Sequence, residues 1–382
     1  MNYRATMRDP RELLIPSAAN RCAELPSLES GLYIYGAGEL GTLAVEYCES
    51  CQIPIRGILD RQKTGMVTGK RAAYGISKPE DVTLIERSSV PVAVAVVTAP
   101  YHPVAASLEA LGWRSVFPFY NLTREPRVGH PLCNGWIIGE VSELEISMVS
   151  RISAAWADTA SRSHYEAYLA WHSDGSEVSL ADCPIDPDSR YAISPLLDFL
   201  AVRHQQLVDV GSHCGSAVQR LHERGVAFDS YILIEPDPHS RQALEVLATR
   251  IRSESRAVTI VSDVVGEFRS SVPFQGGLGY CSQIWAHSSD YREVTPIDDL
   301  NLNPDFLKIH TEGSEVSVLK GAQHTVRRCL PALAFSVYHR REGFYRDIVA
   351  PMELFAGYRW YFRLHSYQGT GAFVYGIPAR SD

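Results

Sequence analysis

The chain has too little cysteine to be held together by disulfides. Its eight cysteines in 382 residues are scattered at positions 22, 48, 51, 133, 183, 214, 281 and 329, which predicts reduced thiols and a core made by hydrophobic burial. Cys48 and Cys51 form a CxxC, but no second CxxC or HxxxH follows at ligand spacing. Because the pair falls near the end of a predicted helix, it reads as two helix-face thiols rather than a zinc or redox site; a metal on His310, Glu312 and His339 has no tight ligand motif behind it either, so none is expected. Blocks of like charge are also missing. Thirty-six Lys and Arg against 44 Asp and Glu give a net charge of −8, so a nucleic-acid backbone or an anionic membrane is disfavoured as a partner. Long apolar runs are absent: the longest, Val92 to Ala99, is far short of the roughly 20 residues that span a bilayer. The segment MNYRATMRDPREL has no apolar signal-peptide core, so a cytoplasmic protein without a membrane span is expected. What is present, 45% hydrophobic and 21% charged residues, suits two or three ordinary globular domains.

Residues 1–30 carry no clear period and three prolines, and read as an arm. Residues 31–120 alternate strand and helix: strands at Leu32 to Tyr35, Ile53 to Leu59, Val90 to Thr98 and Val116 to Phe119, with helices at Glu39 to Cys51, Lys78 to Arg87 and Pro103 to Leu111. This predicts a small parallel Rossmann-like α/β domain. Strand signals fade over 121–196, where Leu144 to Trp171 reads as helix, so the segment is expected to be a helical linker. The aromatics Trp156, Tyr165, Tyr168 and Trp171 within it are spaced for core packing rather than for a sugar-stacking platform. From 197 to 382 a second alternating series has strands at 207–210, 231–235, 257–262, 306–310, 332–338, 359–364 and 372–377. Gly266 to Pro296 interrupts it as an inserted hairpin or substrate loop. A parallel sheet closed by a C-terminal antiparallel hairpin is the layout of a Rossmann-like methyltransferase domain.

Each α/β series opens with a glycine loop. The first, with Gly36, Gly38 and Gly41, is a full GxGxxG followed by Asp60 at the next strand tip. That context suits NAD or a nucleotide-sugar, or glycines used only for helix–strand packing. The second runs Asp209-Val210-Gly211-Ser212-His213-Cys214-Gly215, with Glu235 and Asp263 ending the next two strands. No Lys, Arg or GKS/T element stands where phosphates would need one, so the loop fits the sulfonium cofactor S-adenosylmethionine better than a phosphate ligand. Glu235 is placed for the ribose diol and Asp263 for the adenine amino group.

Further on, Val294-Thr295-Pro296-Ile297-Asp298-Asp299-Leu300, then Lys308-Ile309-His310-Thr311-Glu312-Gly313-Ser314-Glu315, then Leu319-Lys320-Gly321-Ala322 resemble the FkbM family of S-adenosylmethionine-dependent methyltransferases. Their pattern is LDD, KIDxEGxE and LKGA, and the resemblance covers about Gln206 to Pro378. The preceding module with its YGAG loop looks like an arrangement of bacterial members. The resemblance implies O-methylation of a hydroxyl on a sugar, polysaccharide precursor or secondary metabolite. One departure stands out: His310 occupies the position of the family's Asp.

Methyl transfer to a hydroxyl needs a proton acceptor beside the methyl group. His310 and Glu312 at the fourth strand tip, His339 at the fifth and His365 near the hairpin are the candidates, since a neutral imidazole serves as base near pH 7. Two rival readings follow from the same residues. His310 in place of Asp would suit a catalytically inactive homologue acting as a binding subunit, and the first glycine loop would suit an NAD-dependent oxidoreductase. The small-molecule or glycan acceptor is unspecified by these patterns, and a homo-oligomer is compatible with them.

Overall fold

The computed structural model describes residues 9–14, 25–125, 127 and 129–379. The arm expected over 1–30 lies mostly outside the described residues, as does Cys22. The chain divides into two compact units. The first takes the chain up to Val141 together with Glu166–Ile185 and Ser366–Thr370; the second takes Ser142–Tyr165, Asp186–His365 and the C-terminal strand. Residues 121–196, expected as a linker, are thus shared out between the two units rather than standing apart from them.

The first unit holds strands β1 (Leu32–Tyr35), β2 (Ile55–Leu59), β3 (Met66–Thr68), β4 (Ala73–Ser77), β5 (Val92–Val94) and β6 (Val116–Pro118) in the order β3-β4-β2-β1-β5-β6. All neighbouring pairs are parallel except β3 with β4. Helices α1 (Pro10–Leu14), α2 (Glu39–Ser50), α3 (Leu84–Ser89) and α4 (Tyr101–Glu109) complete its α/β series. Val92 to Val94 are wholly buried, as a strand covered on both faces must be. The strand is shorter than the apolar run predicts: both neighbours end opposite Val94, at Tyr35 of β1 and Pro118 of β6, and the buried Gln368 amide donates to the Val94 and Val96 carbonyls at 3.0 Å each. Those acceptors are then lost to further sheet pairing.

The second unit begins with α5 (Glu143–Ala155), opened by a Ser142/Glu145 capping box. The helix predicted through Trp171 breaks before α6 (Thr159–Asp174). Trp156 turns extended, the Ala157 amide donates to the Trp360 carbonyl at 2.8 Å, and Asp158 accepts from the Ser161 amide at 2.7 Å while pairing with Arg363 at 2.6 Å. Trp156, Tyr165, Tyr168 and Trp171 are all buried, as core residues.

Helix α7 (Val178–Ala181) belongs to the first unit; in the second, after α8 (Ser194–Leu200), a seven-stranded sheet is built from β7 (Gln206–Val210), β8 (Ser230–Ile234), β9 (Ala257–Val261), β14 (Phe306–Ile309), β15 (Ala332–Ser336), β16 (Tyr358–Leu364) and β17 (Ala372–Pro378). Its order is β16-β17-β15-β14-β7-β8-β9, parallel apart from β17, which is antiparallel to both neighbours. The expected C-terminal hairpin is therefore present. The 266–296 insertion belongs to a separate small sheet of β10 (Val264–Val265), β11 (Ser270–Gln275), β12 (Gln283–Ile284) and β13 (Tyr291–Thr295), ordered β10-β13-β11-β12. Helices α9 (Ser216–Glu223), α10 (Pro238–Ser253), α11 (Glu315–Lys320), α12 (Gln323–Cys329) and α13 (Arg346–Leu354) provide the connections. No helix among the described residues is long and apolar enough to cross a membrane, and no disulfide joins the described cysteines.

Candidate functional site

The carboxyl ends of β7, β8 and β14 open onto one cavity, the place where parallel α/β sheets bind ligands. Gly211, His213, Glu235 and Asp263 line it from beyond the β7, β8 and β9 tips, and His310, Thr311 and Glu312 from the β14 side. Tyr280, Ser282 and Ile284 of the inserted segment line it too. Its charged lining residues are Glu235, Asp263 and Glu312, with no Lys or Arg among them. That field suits a cationic ligand.

Close packing shapes the glycine loop. Gly211 has φ +70°, and a Cβ there would lie 1.9 Å from the His310 carbonyl oxygen, so only glycine lets β7 run this near the β14 tip. Beneath it Lys308, wholly buried, meets Asp209 at 2.7 Å and donates to the Val210 and Gly211 carbonyls at 3.3 and 2.7 Å. Burial disfavours the ammonium charge, but Asp209 outweighs it and holds the Lys308 pKa above the ordinary lysine value. Asp209, Ser212 and Gly215, all expected at the cofactor, do not line the cavity. Asp209 is spent on Lys308, the Ser212 hydroxyl donates to the Asp209 carbonyl at 2.7 Å, and Gly215, at φ +81°, starts α9.

Glu235 accepts from the His213 amide and the Asp237 amide, both at 2.8 Å. Burial pushes its carboxyl up to about 7, against the pull of those two amides. Asp263 accepts from the Thr295 hydroxyl at 2.9 Å. Asp237 was not singled out from the sequence. It caps α10 through the His239 and Ser240 amides, and its other oxygen accepts from the Gly277 amide at 2.5 Å and the Ser282 hydroxyl at 2.7 Å. It thereby ties the inserted segment to the β8 tip. The Glu-Pro-Asp-Pro run, an acid just before a helix-starting proline, was the signal available for it. Asp298 of the LDD segment is structural: its carboxylate accepts from the His324 and Thr325 amides at 3.0 and 2.8 Å.

His310, Glu312 and His339 converge from neighbouring strand tips. Glu312 sits in a left-handed turn at φ +53°, with His310 Nε2 3.4 Å from its Oε1 and His339 Nδ1 3.1 Å from its Oε2. Tyr191 and Tyr338 hydroxyls flank His310 at Nδ1, 3.1 Å, and Nε2, 3.0 Å. Burial, then the neighbouring His339 charge, pushes His310 well below the ordinary histidine range. Burial also works against a charge on His339, but Glu312 and then Glu315 outweigh it and raise its pKa. The two histidines expected as alternative bases are thus driven apart: His310 is neutral and His339 favours the imidazolium form. Burial raises Glu312, with His339 opposing. His365 does not join them. It is buried between the Asp186 carbonyl at 3.0 Å and the Tyr375 hydroxyl at 2.8 Å, with burial lowering it to about 3.

In the first unit, Gly36 (φ +110°) and Gly41 are sterically required, since a Cβ on Gly41 would lie 1.9 Å from the Gly36 carbonyl oxygen; Gly38 has open space. Asp60 accepts from the Ala37, Gln62 and Lys63 amides at 2.9, 2.8 and 2.9 Å, and Lys63 Nζ reaches the Ala37 carbonyl at 3.0 Å. The acid expected for a ribose braces its own loop, and no observation supports NAD or a nucleotide-sugar there.

Residues 209–368 match the family model described as the methyltransferase FkbM domain. Among solved structures, the chain is similar to methyltransferase FkbM from Methylobacillus flagellatus KT. The two share 20% identity over 91% of this chain and 89% of that one, with a TM-score of 0.60, a likeness of fold. No curated protein matches the chain.

Proposed function

We propose that this chain, whose residues 209–368 match the methyltransferase FkbM domain, transfers the methyl group of S-adenosylmethionine to a hydroxyl oxygen of a sugar, a polysaccharide precursor or a secondary metabolite. The observation that carries the reading is the shared cavity. Gly211, Glu235 and Asp263 face it from one side and His310 and Glu312 from the other, so a cofactor on the strand tips has its methyl group presented beside a cluster of proton-accepting groups. Three acids and no Lys or Arg in the lining suit a sulfonium and would repel a phosphate. Glu235 binds the ribose diol in this reading, Asp263 the adenine amino group, and the Gly211 backbone the amino-acid end.

The reaction forms an oxygen–carbon bond and breaks the carbon–sulfur bond, whose electrons return to sulfur. The hydroxyl proton passes to the cluster of His310, Glu312 and His339 and on to solvent. Neutral His310 is the member in the right protonation state to receive it.

Calorimetry with S-adenosylmethionine, followed by mass spectrometry of hydroxyl compounds incubated with enzyme and labelled cofactor, tests the proposal. The expected result is saturable binding and an alkali-stable methyl ether. Absence of binding overturns the cofactor assignment, an alkali-labile methyl ester overturns the hydroxyl acceptor, and binding without product favours the inactive binding subunit.

A further inference from the structure

We propose that His310, Glu312 and His339 bind one divalent transition-metal ion at the acceptor side of the cavity. Their donor atoms all lie within 4.8 Å of one another. His310 Nε2 lies 3.4 Å from Glu312 Oε1 and His339 Nδ1 3.1 Å from Glu312 Oε2, so the carboxylate stands between the two rings with one oxygen toward each, at separations near those of ligand atoms sharing an ion with bonds of about 2.0–2.2 Å. Two imidazoles and one carboxylate suit zinc, iron, cobalt or manganese rather than calcium or magnesium. Three protein ligands leave further positions open, as in metal sites that act on a substrate. His310 and Glu312 line the cavity, so those positions face the ligand.

The surroundings are those of a built site. His310 Nδ1 is held by the Tyr191 hydroxyl at 3.1 Å, behind its ligating nitrogen, and the Glu315 carboxylate faces His339 Nε2 at 3.7 Å. Glu315 is itself fixed by the Thr311 and Gly313 amides, both at 3.0 Å, and by the Ser336 hydroxyl at 2.8 Å. The Tyr338 hydroxyl now at His310 Nε2 gives way to the ion. One donor, His310, stands at the single position where the chain departs from the KIDxEGxE pattern.

The inference deepens the proposed reaction and rests on it for the ion's role, though not for its binding. Facing the methyl group, the ion takes the acceptor hydroxyl as a further ligand and makes its proton easier to lose; with the ion bound His310 is a ligand, so the proton goes directly to solvent instead of to its ring. The oxygen then forms its bond to the methyl carbon as the carbon–sulfur bond breaks toward sulfur.

The experiment titrates the full chain, stripped by chelator, with cobalt(II) while following visible absorption and metal content. One cobalt per chain with ligand-field bands is expected. Tyr191→Phe, which keeps the ring and removes only the outer hydroxyl, should weaken binding by about 10–100-fold, and Glu312→Gln with His339→Gln should abolish it, melting curves reporting that each variant is folded. No cobalt bound by the wild type, or binding unchanged in Tyr191→Phe and in the double variant, overturns the site. S-adenosylmethionine calorimetry on the stripped protein separates the two proposals. Cobalt binding without cofactor binding removes the methyl-transfer reading and leaves the metal site; the reverse removes only the metal site.

Discussion

Glu235 should make cofactor binding depend on pH. Its carboxyl is buried, accepts two backbone amides and is raised to about 7, and a ribose diol needs the ionised form as acceptor. With that pKa the ionised fraction is about one in eleven at pH 6 and about ten in eleven at pH 8, a tenfold change in apparent affinity or roughly 1.4 kcal/mol. Binding therefore strengthens as pH rises. The sign for stability is opposite: the folded state holds this proton more tightly than the unfolded chain, so the contribution is present below the ordinary carboxyl value of 4.5 and is lost as pH rises through about 7. Glu177, buried and also raised to about 7, titrates in the same window, so melting temperature alone does not isolate Glu235. The discriminating assay is calorimetry from pH 5.5 to 8.5 on wild type and Glu235→Gln. The variant carries any titration of the ligand itself, and the ratio of the two affinities should rise about tenfold between pH 6 and 8. A ratio independent of pH, or a variant as tight as wild type at pH 8, refutes the reasoning.

Further outcomes follow from the same geometry. Gly211→Ala places a Cβ against the His310 carbonyl at positive φ, so calorimetry should show cofactor binding lost and the melting temperature lowered. Lys308→Met leaves Asp209 buried without its cation and should cost about 3–5 kcal/mol in urea unfolding, much of it recovered by adding Asp209→Leu. Equal instability of the single and double variants would deny the pairing. Asp60→Ala frees the Ala37, Gln62 and Lys63 amides and should lower the melting temperature while leaving S-adenosylmethionine affinity unchanged; a fall in that affinity would show that the first loop serves the cofactor.

Local pattern was enough to reveal both α/β series, the antiparallel C-terminal hairpin and the tips where Gly211, Glu235, Asp263, His310 and Glu312 stand. Strand period and glycine placement are written within a few residues of one another, and parallel strands put their carboxyl ends on one side whatever the details. Other features depend on partners far away in the chain. The end of β5 at Val94 coincides with the ends of its neighbours at Tyr35 and Pro118, the break between α5 and α6 is set by Trp360 and Arg363, and the loss of Asp209 from the cavity by Lys308. No window of sequence contains those pairs.

The same holds for protonation. His310 and His339 look interchangeable as residue types, yet Glu312 and Glu315 gather around one ring and tyrosine hydroxyls around the other. Sequence therefore determined which chemical groups reach the strand tips. Only the tertiary structure decided which of them meet, because burial and the distance to a neighbouring charge, both products of packing, set which group holds a proton and which three donors stand close enough to share one ion.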